Sequence, residues 1–288
     1  MDNIKINREH KDRLFRLLFG DEKNKSNLLS LYNAINNTHY TDADDLEIMT
    51  MQDCIYMKMK NDVSVLLYQV LALYEQQSSW NPNMPVRGFL YFAHLYEKYI
   101  EMHKLNIYGS KLLKLPTPQY IVFYNGSGMK NDEVKLHLSD SFENKSVAEE
   151  FEWTATVKNI NYGHNKELME NCHILKEYAQ FVDKVRRYNK ELNDIRAAID
   201  KTIQECIDEG ILKDFLSAHR AEVFNVCLTE YDEEIVKRDL REEGIMDIIA
   251  IYNWLKNAGR EEEAEAIMKP ENELLRKKIQ QEYETLVK

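Results

Sequence analysis

The stretch "NDVSVLLYQVLALYEQQSSWNPNMPVR", from Asn61 to Arg87, decides how the chain folds. Its centre, "VSVLLYQVLALY", is apolar and contains β-branched residues, a composition that predicts buried strands. The run has Asp62 at its front and Glu75, the first residue of "EQQ", at its back. Acidic residues at the ends of buried strands either turn to solvent or hold a ligand. The choice between these two interpretations decides which function the sequence supports.

The stretch fits a β-hairpin whose tight turn is centred on Tyr68 and Gln69. Cross-strand partners then have residue numbers that sum to 137, so Asp62 is expected opposite Glu75, with Cβ atoms roughly 4.5–5.5 Å apart. The turn "LYQV" lacks the usual glycine, asparagine or aspartate, so this register is an assumption of the hypothesis. Two carboxylates that close repel unless a proton or cation lies between them, and Mg²⁺ takes oxygen ligands at about 2.0–2.1 Å. Gln77 shares the face of Glu75, because alternate residues of a strand point the same way.

The residues alone leave both interpretations of the acid pair open. Solvated strand ends are the commoner case for a random pair of acids, and a metal site is the less common one.

Composition indicates a folded, water-soluble protein. The chain has 288 residues, of which 44% are hydrophobic, enough for one large domain or two ordinary ones. Its four cysteines are far apart and form no CxxC pair, which is typical of a reducing cytosol. The N-terminus is too charged for a signal peptide, and no apolar run approaches the roughly 20 residues that span a bilayer. We therefore expect a cytoplasmic protein that does not enter a membrane.

The net charge of −11 opposes general nucleic-acid binding, because phosphate contacts need lysine and arginine. The charge is unevenly distributed, however. Residues 205–243 contain twelve acids and five bases, whereas bases outnumber acids between Lys98 and Lys130. A local groove can therefore differ in sign from the average field of the protein.

The pattern of elements changes near residue 165. Before that point, strand-like runs such as "TPQYIVFYNGSG" and "EWTATVKNINY" alternate with helical runs, including the helix predicted to begin near Asn83 and Pro85. In that helix, Phe89, Phe92, Ala93 and Tyr96 are expected to face a core. After residue 165 the chain is charged and helix-forming throughout. The sequence thus predicts an α/β half followed by a helical half.

Residues 59–87, "MKNDVSVLLYQVLALYEQQSSWNPNMPVR", resemble the PD-(D/E)XK nuclease family transposases, the Rpn-type recombination-promoting nucleases. Members of that family read approximately "KNDVSF…LYEHQSTYNPNMPLR". The resemblance continues in the same order through "IYGSKLLKLPTPQYIVFYNG", "LHLSDSF", "NINYGHNKELME", "CHILKEYAQFVDKVRRY" and "CIDEGILKDFLSAHRAEVFNVCLTEYDEE". It covers the chain from about residue 10 to about residue 243.

The resemblance implies a restriction-endonuclease-like core, with a mixed central sheet flanked by helices, over residues 1–165 and a helical C-terminal region over residues 166–288. It implies a Mg²⁺-dependent DNA endonuclease, with Mn²⁺ as an alternative metal. Asp62 matches the first acid of the motif and Glu75 the second, so both are expected to be catalytic metal ligands. Gln77 falls where the wider superfamily has lysine and is expected to position water or phosphate. Gln76 replaces the usual histidine of the family, which leaves any role of that histidine in doubt.

Four basic residues are candidates for contact with nucleic acid: Lys58, Lys60, Arg87 and Lys114. Exposed lysines are more often only solvated, and Arg87 could equally form an ion pair with Glu75. Because such nucleases often need two sites to cut both strands, a homodimer is one expectation. The alternative function is a catalytically weak or inactive homologue that acts as a DNA-binding or protein-interaction module. The uncharged Gln77 and the net charge favour this alternative, whereas the presence of both acids favours catalysis.

Overall fold

The computed structural model describes residues 14–49, 63–126, 128–144, 151–257 and 259–268, together with Leu275 and Ile279. The strands are β1 (Glu47–Ile48), β2 (Val63–Leu67), β3 (Val70–Gln77), β4 (Thr117–Tyr124), β5 (Glu133–His137) and β6 (Thr154–Asn159). The α-helices are α1 (Leu14–Phe19), α2 (Lys25–Asn36), α3 (Met84–Met102), α4 (Lys166–Asn171), α5 (His173–Leu192), α6 (Ile195–Glu209), α7 (Lys213–Asn257) and α8 (Glu261–Ile267).

Strands β2 and β3 form the predicted hairpin. Val63 pairs with Tyr74 and Leu67 with Val70, which confirms the register assumed in the sequence analysis for these residues. The two turn residues, Tyr68 and Gln69, have φ angles of +42° and +67°, the left-handed conformation of the tight turns that match strand twist. Neither residue favours this conformation by itself.

Contacts with a neighbouring loop accompany this turn. The ring of Tyr68 stacks on that of Tyr40 at 4.5 Å between centroids, and its hydroxyl donates to the carboxylate of Asp45.

The six strands form one open mixed sheet in the order β1-β2-β3-β4-β6-β5. The pairs β3–β4 and β4–β6 are parallel, and the outer pairs are antiparallel. The chain therefore has the predicted α/β class. Gln77, Tyr124 and Asn159 lie side by side at the carboxyl ends of the three parallel strands. In open α/β sheets this edge is where ligands usually bind.

Successive residues of β3 face opposite sides of the sheet and enter different hydrophobic clusters. Ala72 and Tyr74 pack in a cluster with helices α1, α2, α5 and α6. Leu71 and Leu73 pack in a second cluster with helix α3. By this alternation the side chain of Glu75 points to the α3 side of the sheet.

Helix α3 begins after Asn83 with Pro85 in its first turn, as the sequence predicts. The face that the sequence assigned to the core is only partly correct. Phe92 is buried and Tyr96 packs partly buried against the same cluster, but Phe89 is 40% exposed and Ala93 is exposed. The buried stripe instead consists of Met84, Pro85, Gly88, Tyr91, Phe92 and Leu95. Because apolar residues surround this helix on most sides, their spacing did not identify the buried face.

The chain divides into two compact units, residues 1–230 and 231–288. In the first unit, the last strand ends at Asn159 and helices follow from Lys166. Helices α5 and α6 share the hydrophobic cluster of the sheet. In the second unit, the buried residues include Ile251, Leu255, Ala264, Ile267 and Ile279. The division into a nuclease core and a helical region at residue 165 stays a prediction. Among the described helices, none has the length and apolar composition that a bilayer crossing requires.

Candidate functional site

Glu75 is a buried acid near the end of β3, with 2% of its surface exposed. The hydroxyl of Tyr120, on the neighbouring strand β4, donates a hydrogen bond to Oε2 at 3.0 Å. The guanidinium of Arg87 approaches from α3, with Nη2 at 3.4 Å from Oε1 and at 3.4 Å from Oε2. A buried carboxylate requires such partners, because its desolvation otherwise costs several kcal/mol.

Arg87 lies in the first turn of α3, and its side chain is 28% exposed. Nη2 also donates to the hydroxyl of Tyr91 at 3.2 Å, and Nη1 contacts the sulfur of Met84 at 3.6 Å. Nε is buried and has no hydrogen-bond partner among the residues that the structure describes. One nitrogen thus spans both carboxylate oxygens, and the two-pronged geometry that makes arginine–carboxylate pairs strong is absent between Arg87 and Glu75.

The two tyrosines around Glu75 stay neutral at physiological pH. Burial, followed by the charge of Glu75, raises the pKa of Tyr91 to about 12 and that of Tyr120 well above its ordinary value. Burial lowers the pKa of Arg87, but the carboxylate of Glu75 and the two tyrosines outweigh it and raise the pKa overall. The cluster therefore combines one cation with two neutral hydroxyl donors around the carboxylate. We name Glu75, Arg87, Tyr91 and Tyr120 the Glu75 cluster.

Gln77 ends β3 two residues beyond Glu75, on the same face, and is partly exposed. Its backbone oxygen accepts a hydrogen bond from the Asn125 amide at 3.0 Å. This bond fixes the end of β3 to the loop after β4. Gln77 therefore lies at the open edge of the sheet, and strand alternation puts its side chain on the same face as that of Glu75.

Gln76 points to the opposite face of the sheet, where its side chain belongs to a buried chain of hydrogen bonds. Its Nε2 donates to Oδ1 of Asn125 at 2.7 Å, and Nδ2 of Asn125 donates to the hydroxyl of Tyr178 at 3.1 Å. Gln76 and Asn125 are buried polar residues, so this chain of hydrogen bonds links the end of β3 to helix α5. It explains a glutamine here without any role in chemistry.

The structure brings together three of the predicted site residues: Glu75, Gln77 and Arg87. Asp62, Lys58 and Lys60 lie outside the described residues.

Lys114 is not near this group. It precedes β4, whose first residue Thr117 pairs with Val70 at the other end of β3, about 20 Å from Gln77 at roughly 3.3 Å per strand residue. We therefore do not include Lys114 in the site.

Two members of the Glu75 cluster were not identified from the sequence. Tyr91 follows Arg87 by four residues and so shares its helix face, but no pattern in the sequence links it to Glu75. Tyr120 is 45 residues from Glu75, and only the parallel pairing of β3 with β4 brings them together.

The donors that the structure describes match part of a hard-cation site. The carboxylate of Glu75 and the amide oxygen of Gln77 are the kinds of ligand that Mg²⁺ takes. No group of three or more His, Cys, Asp or Glu residues that could hold a metal is found within the described residues. Asp62, the other predicted carboxylate ligand, was outside that search.

We compared the chain with protein-family models, curated proteins and solved structures, and found no match.

Proposed function

We propose that the chain is a Mg²⁺-dependent DNA endonuclease with a restriction-endonuclease-like core. The observation that supports this most directly is the position of Glu75. Its buried carboxylate lies near the carboxyl edge of the parallel strands and contacts the guanidinium of Arg87. The proposal also draws on the sequence resemblance, in which Glu75 matches an acid of the nuclease motif. A continuation of the β2–β3 register by one pair would place Asp62 opposite Glu75.

The carboxylate of Glu75 and the amide of Gln77 supply oxygen donors of the kind that a divalent metal takes. Asp62 and Glu75 would hold the ion, which supplies a lowered pKa for bound water and charge stabilisation at the phosphate. Tyr120 fixes the orientation of the Glu75 carboxylate through its hydrogen bond to Oε2. Gln77 orients the attacking water by donating and accepting hydrogen bonds, and Arg87 binds a phosphate oxygen. Because Gln77 carries no charge, we expect slower cleavage than a lysine would give at this position.

The test is nicking of supercoiled plasmid with and without Mg²⁺ or Mn²⁺. The isosteric variants Asp62→Asn and Glu75→Gln should lose the metal-dependent activity. Glu97→Gln is a matched control, since Glu97 lies on the same helix as Arg87 and its side chain is 77% exposed. Equal nicking by the wild type and all three variants would identify a contaminant and refute the proposal.

A second candidate function is supported by the depth of Glu75. A carboxylate that is 2% exposed and contacts an arginine is also what a purely structural ion pair would look like. The chain would then act as a binding module without catalysis. Under this alternative, gel-shift assays would show that the chain binds DNA, or pull-down assays would show that it binds a protein partner. Plasmid would remain uncut in the presence of either Mg²⁺ or Mn²⁺.

A further inference from the structure

The segment between β3 and α3 carries an exposed tryptophan. Trp80 follows Gln77, the last residue of β3, by three positions, and it is 42% exposed. Its ring contacts that of Tyr124 edge to face, with the centroids 6.0 Å apart and the planes at 80°. Two aromatic rings prefer this geometry, so the contact with Tyr124 orients the indole of Trp80 while part of it stays exposed to water.

Tyr124 places this tryptophan beside the candidate site. Tyr124 ends β4 and pairs with Gln77 of β3, so the two strands lie about 4.8 Å apart at this point. The side chain of Tyr124 packs in the cluster that contains helix α3, on the side of the sheet to which Glu75 points. The chain also continues from Trp80 into α3. Trp80 therefore lies at the same edge of the sheet as the candidate site.

The segment that carries Trp80 is fixed on both sides of it. Gly126, in the loop after β4, approaches so closely that a Cβ atom there would lie 2.1 Å from the Ser78 carbonyl oxygen. Beyond the tryptophan, the Asn81 side chain accepts a hydrogen bond from the Asn83 amide at 2.9 Å. The ring is thus held in place before a ligand arrives, which lowers the entropy that binding costs.

Three chemically different groups meet at this edge: the indole of Trp80, the amide of Gln77 and the guanidinium of Arg87, whose side chain is 28% exposed. Aromatic rings stack on nucleobases of any sequence, and a guanidinium binds phosphate. A nucleic-acid strand offers a base and a phosphate in each nucleotide. In a duplex the base is already stacked between its neighbours, and turning it out costs free energy. An indole at this position therefore favours an unpaired strand.

We propose that Trp80 stacks on an unpaired base next to the phosphate at Arg87, so that the chain binds single-stranded DNA more tightly than duplex DNA. The inference names the substrate of the candidate site, and in that respect it rests on the proposed function.

Other ligands explain this edge less well. Duplex DNA carries a phosphate charge about every 1.7 Å of its axis, and one strand carries half as many. A chain with a net charge of −11 therefore repels the single strand less. An apolar side chain of a protein partner would pack on Trp80, but it would not use the guanidinium of Arg87 or the amide of Gln77.

Fluorescence anisotropy of the full-length chain with a labelled DNA strand, and with the matching duplex, tests the proposal. The measurements are made in EDTA, so that no metal-dependent cleavage occurs. We expect the wild type to prefer the single strand, and Trp80→Ala to bind that strand about tenfold more weakly with little change for the duplex. Trp80→Phe keeps an aromatic ring and should keep most of the affinity.

Tyr108→Ala is the matched control, because Tyr108 is 92% exposed in the connection that leads to the opposite end of β4. It should bind both DNAs as the wild type does. Circular dichroism verifies that each variant is folded.

Tryptophan fluorescence identifies the residue that stacks. The single strand should quench part of the emission of the wild type. The chain has two other tryptophans, Trp153 and Trp254, so the quenching should be absent from Trp80→Phe even though this variant still binds.

Four results would overturn the proposal: equal wild-type affinity for the single strand and the duplex, no binding of the single strand, wild-type affinity in Trp80→Ala, or quenching that persists in Trp80→Phe. The test also separates this inference from the proposed nuclease function. A chain that binds single strands through Trp80 but cuts no DNA with Mg²⁺ or Mn²⁺ would refute the nuclease function and support the stacking role. Nicking that depends on Glu75, with unchanged binding by Trp80→Ala, would refute the stacking role alone.

Discussion

Replacing Arg87 by methionine should lower the free energy of unfolding, and a divalent cation should restore most of the loss. The substitution leaves the carboxylate of Glu75, 2% exposed, without the arginine. Removing one partner of a fully buried pair costs about 3–5 kcal/mol. The Arg87 side chain is 28% exposed and lies 3.4 Å from each oxygen, and Tyr120 keeps its hydrogen bond. We therefore expect a smaller loss in the free energy of unfolding, about 2–3 kcal/mol.

A metal that binds only the native state adds about 2.7 kcal/mol at a concentration 100 times its dissociation constant. In the Arg87→Met variant the metal would replace the missing guanidinium, so saturating Mg²⁺ should recover most of the loss. In the wild type the metal must compete with Arg87 for Glu75, so its stabilisation should be smaller. The assay is urea unfolding in EDTA and in Mg²⁺ or Mn²⁺, with the slope of the transition compared between conditions.

Two variants control this experiment. Arg87→Lys keeps a cation and should lose less stability than Arg87→Met. Glu75→Gln/Arg87→Met removes both charges, so its free energy of unfolding should be the same in Mg²⁺ as in EDTA. If Arg87→Met gains no more stability from Mg²⁺ than the wild type does, Glu75 is not accessible to a metal. The reasoning behind the proposed site would then be refuted.

Three further predictions concern the site strand, the packing of α3 and the helical part of the first unit. Gln77→Lys should raise the single-turnover rate of plasmid nicking roughly tenfold at fixed Mg²⁺ by adding a charge near the phosphate; an unchanged rate would contradict the assigned role of Gln77. Gly88→Ala would place a Cβ atom 2.3 Å from the Tyr120 ring. The helix gains about 1 kcal/mol, but overpacking costs about 1–3 kcal/mol, so urea unfolding should show a net loss. A hydrogen bond from Lys184 and a smaller contribution from the hydroxyl of Tyr188 lower the pKa of Glu205 to about 2. Its stabilisation is therefore present above the unfolded pKa near 4.5 and is lost as pH falls through about 2, so Glu205→Gln should cost about 1 kcal/mol at pH 7 and progressively less as pH falls from 4.5 towards 2.

The hairpin could be predicted because its determinants are local. Two apolar runs of strand length lie on either side of Tyr68 and Gln69, so a two-residue turn was the simplest connection between them. Polar and apolar alternation gave no help with the register, because both faces of β2 and β3 are largely buried. The positive φ angles of Tyr68 and Gln69 coincide with the contacts of Tyr68 to Tyr40 and Asp45, which are more than 20 residues away in sequence. The sequence therefore predicted where the turn occurs but not the contacts around it.

The surroundings of Glu75 could not be predicted in the same way. The contact with Tyr120 depends on the register between β3 and β4, which pair across helix α3 and a long loop. The buried face of α3 depends on Gly88, which lets the helix approach the ring of Tyr120. Neither fact has a local pattern in the sequence. Arg87, by contrast, was identified as a possible partner of Glu75. It lies in the first turn of the helix that directly follows the site strand, so it stays close to the end of that strand.

Stability alone gives little reason for a charged pair at the position of Glu75 and Arg87. A buried ion pair is often no more stabilising than well-packed apolar residues of the same volume, because both charges lose their hydration. Here the pair has 3.4 Å contacts and an unpaired Nε among the described residues, so it gains less than an ideal pair would. Under the proposed function, a divalent cation that binds Glu75 would take the place of a guanidinium whose contacts with both carboxylate oxygens are 3.4 Å long. The hydrogen bond from Tyr120 would hold the carboxylate during that exchange.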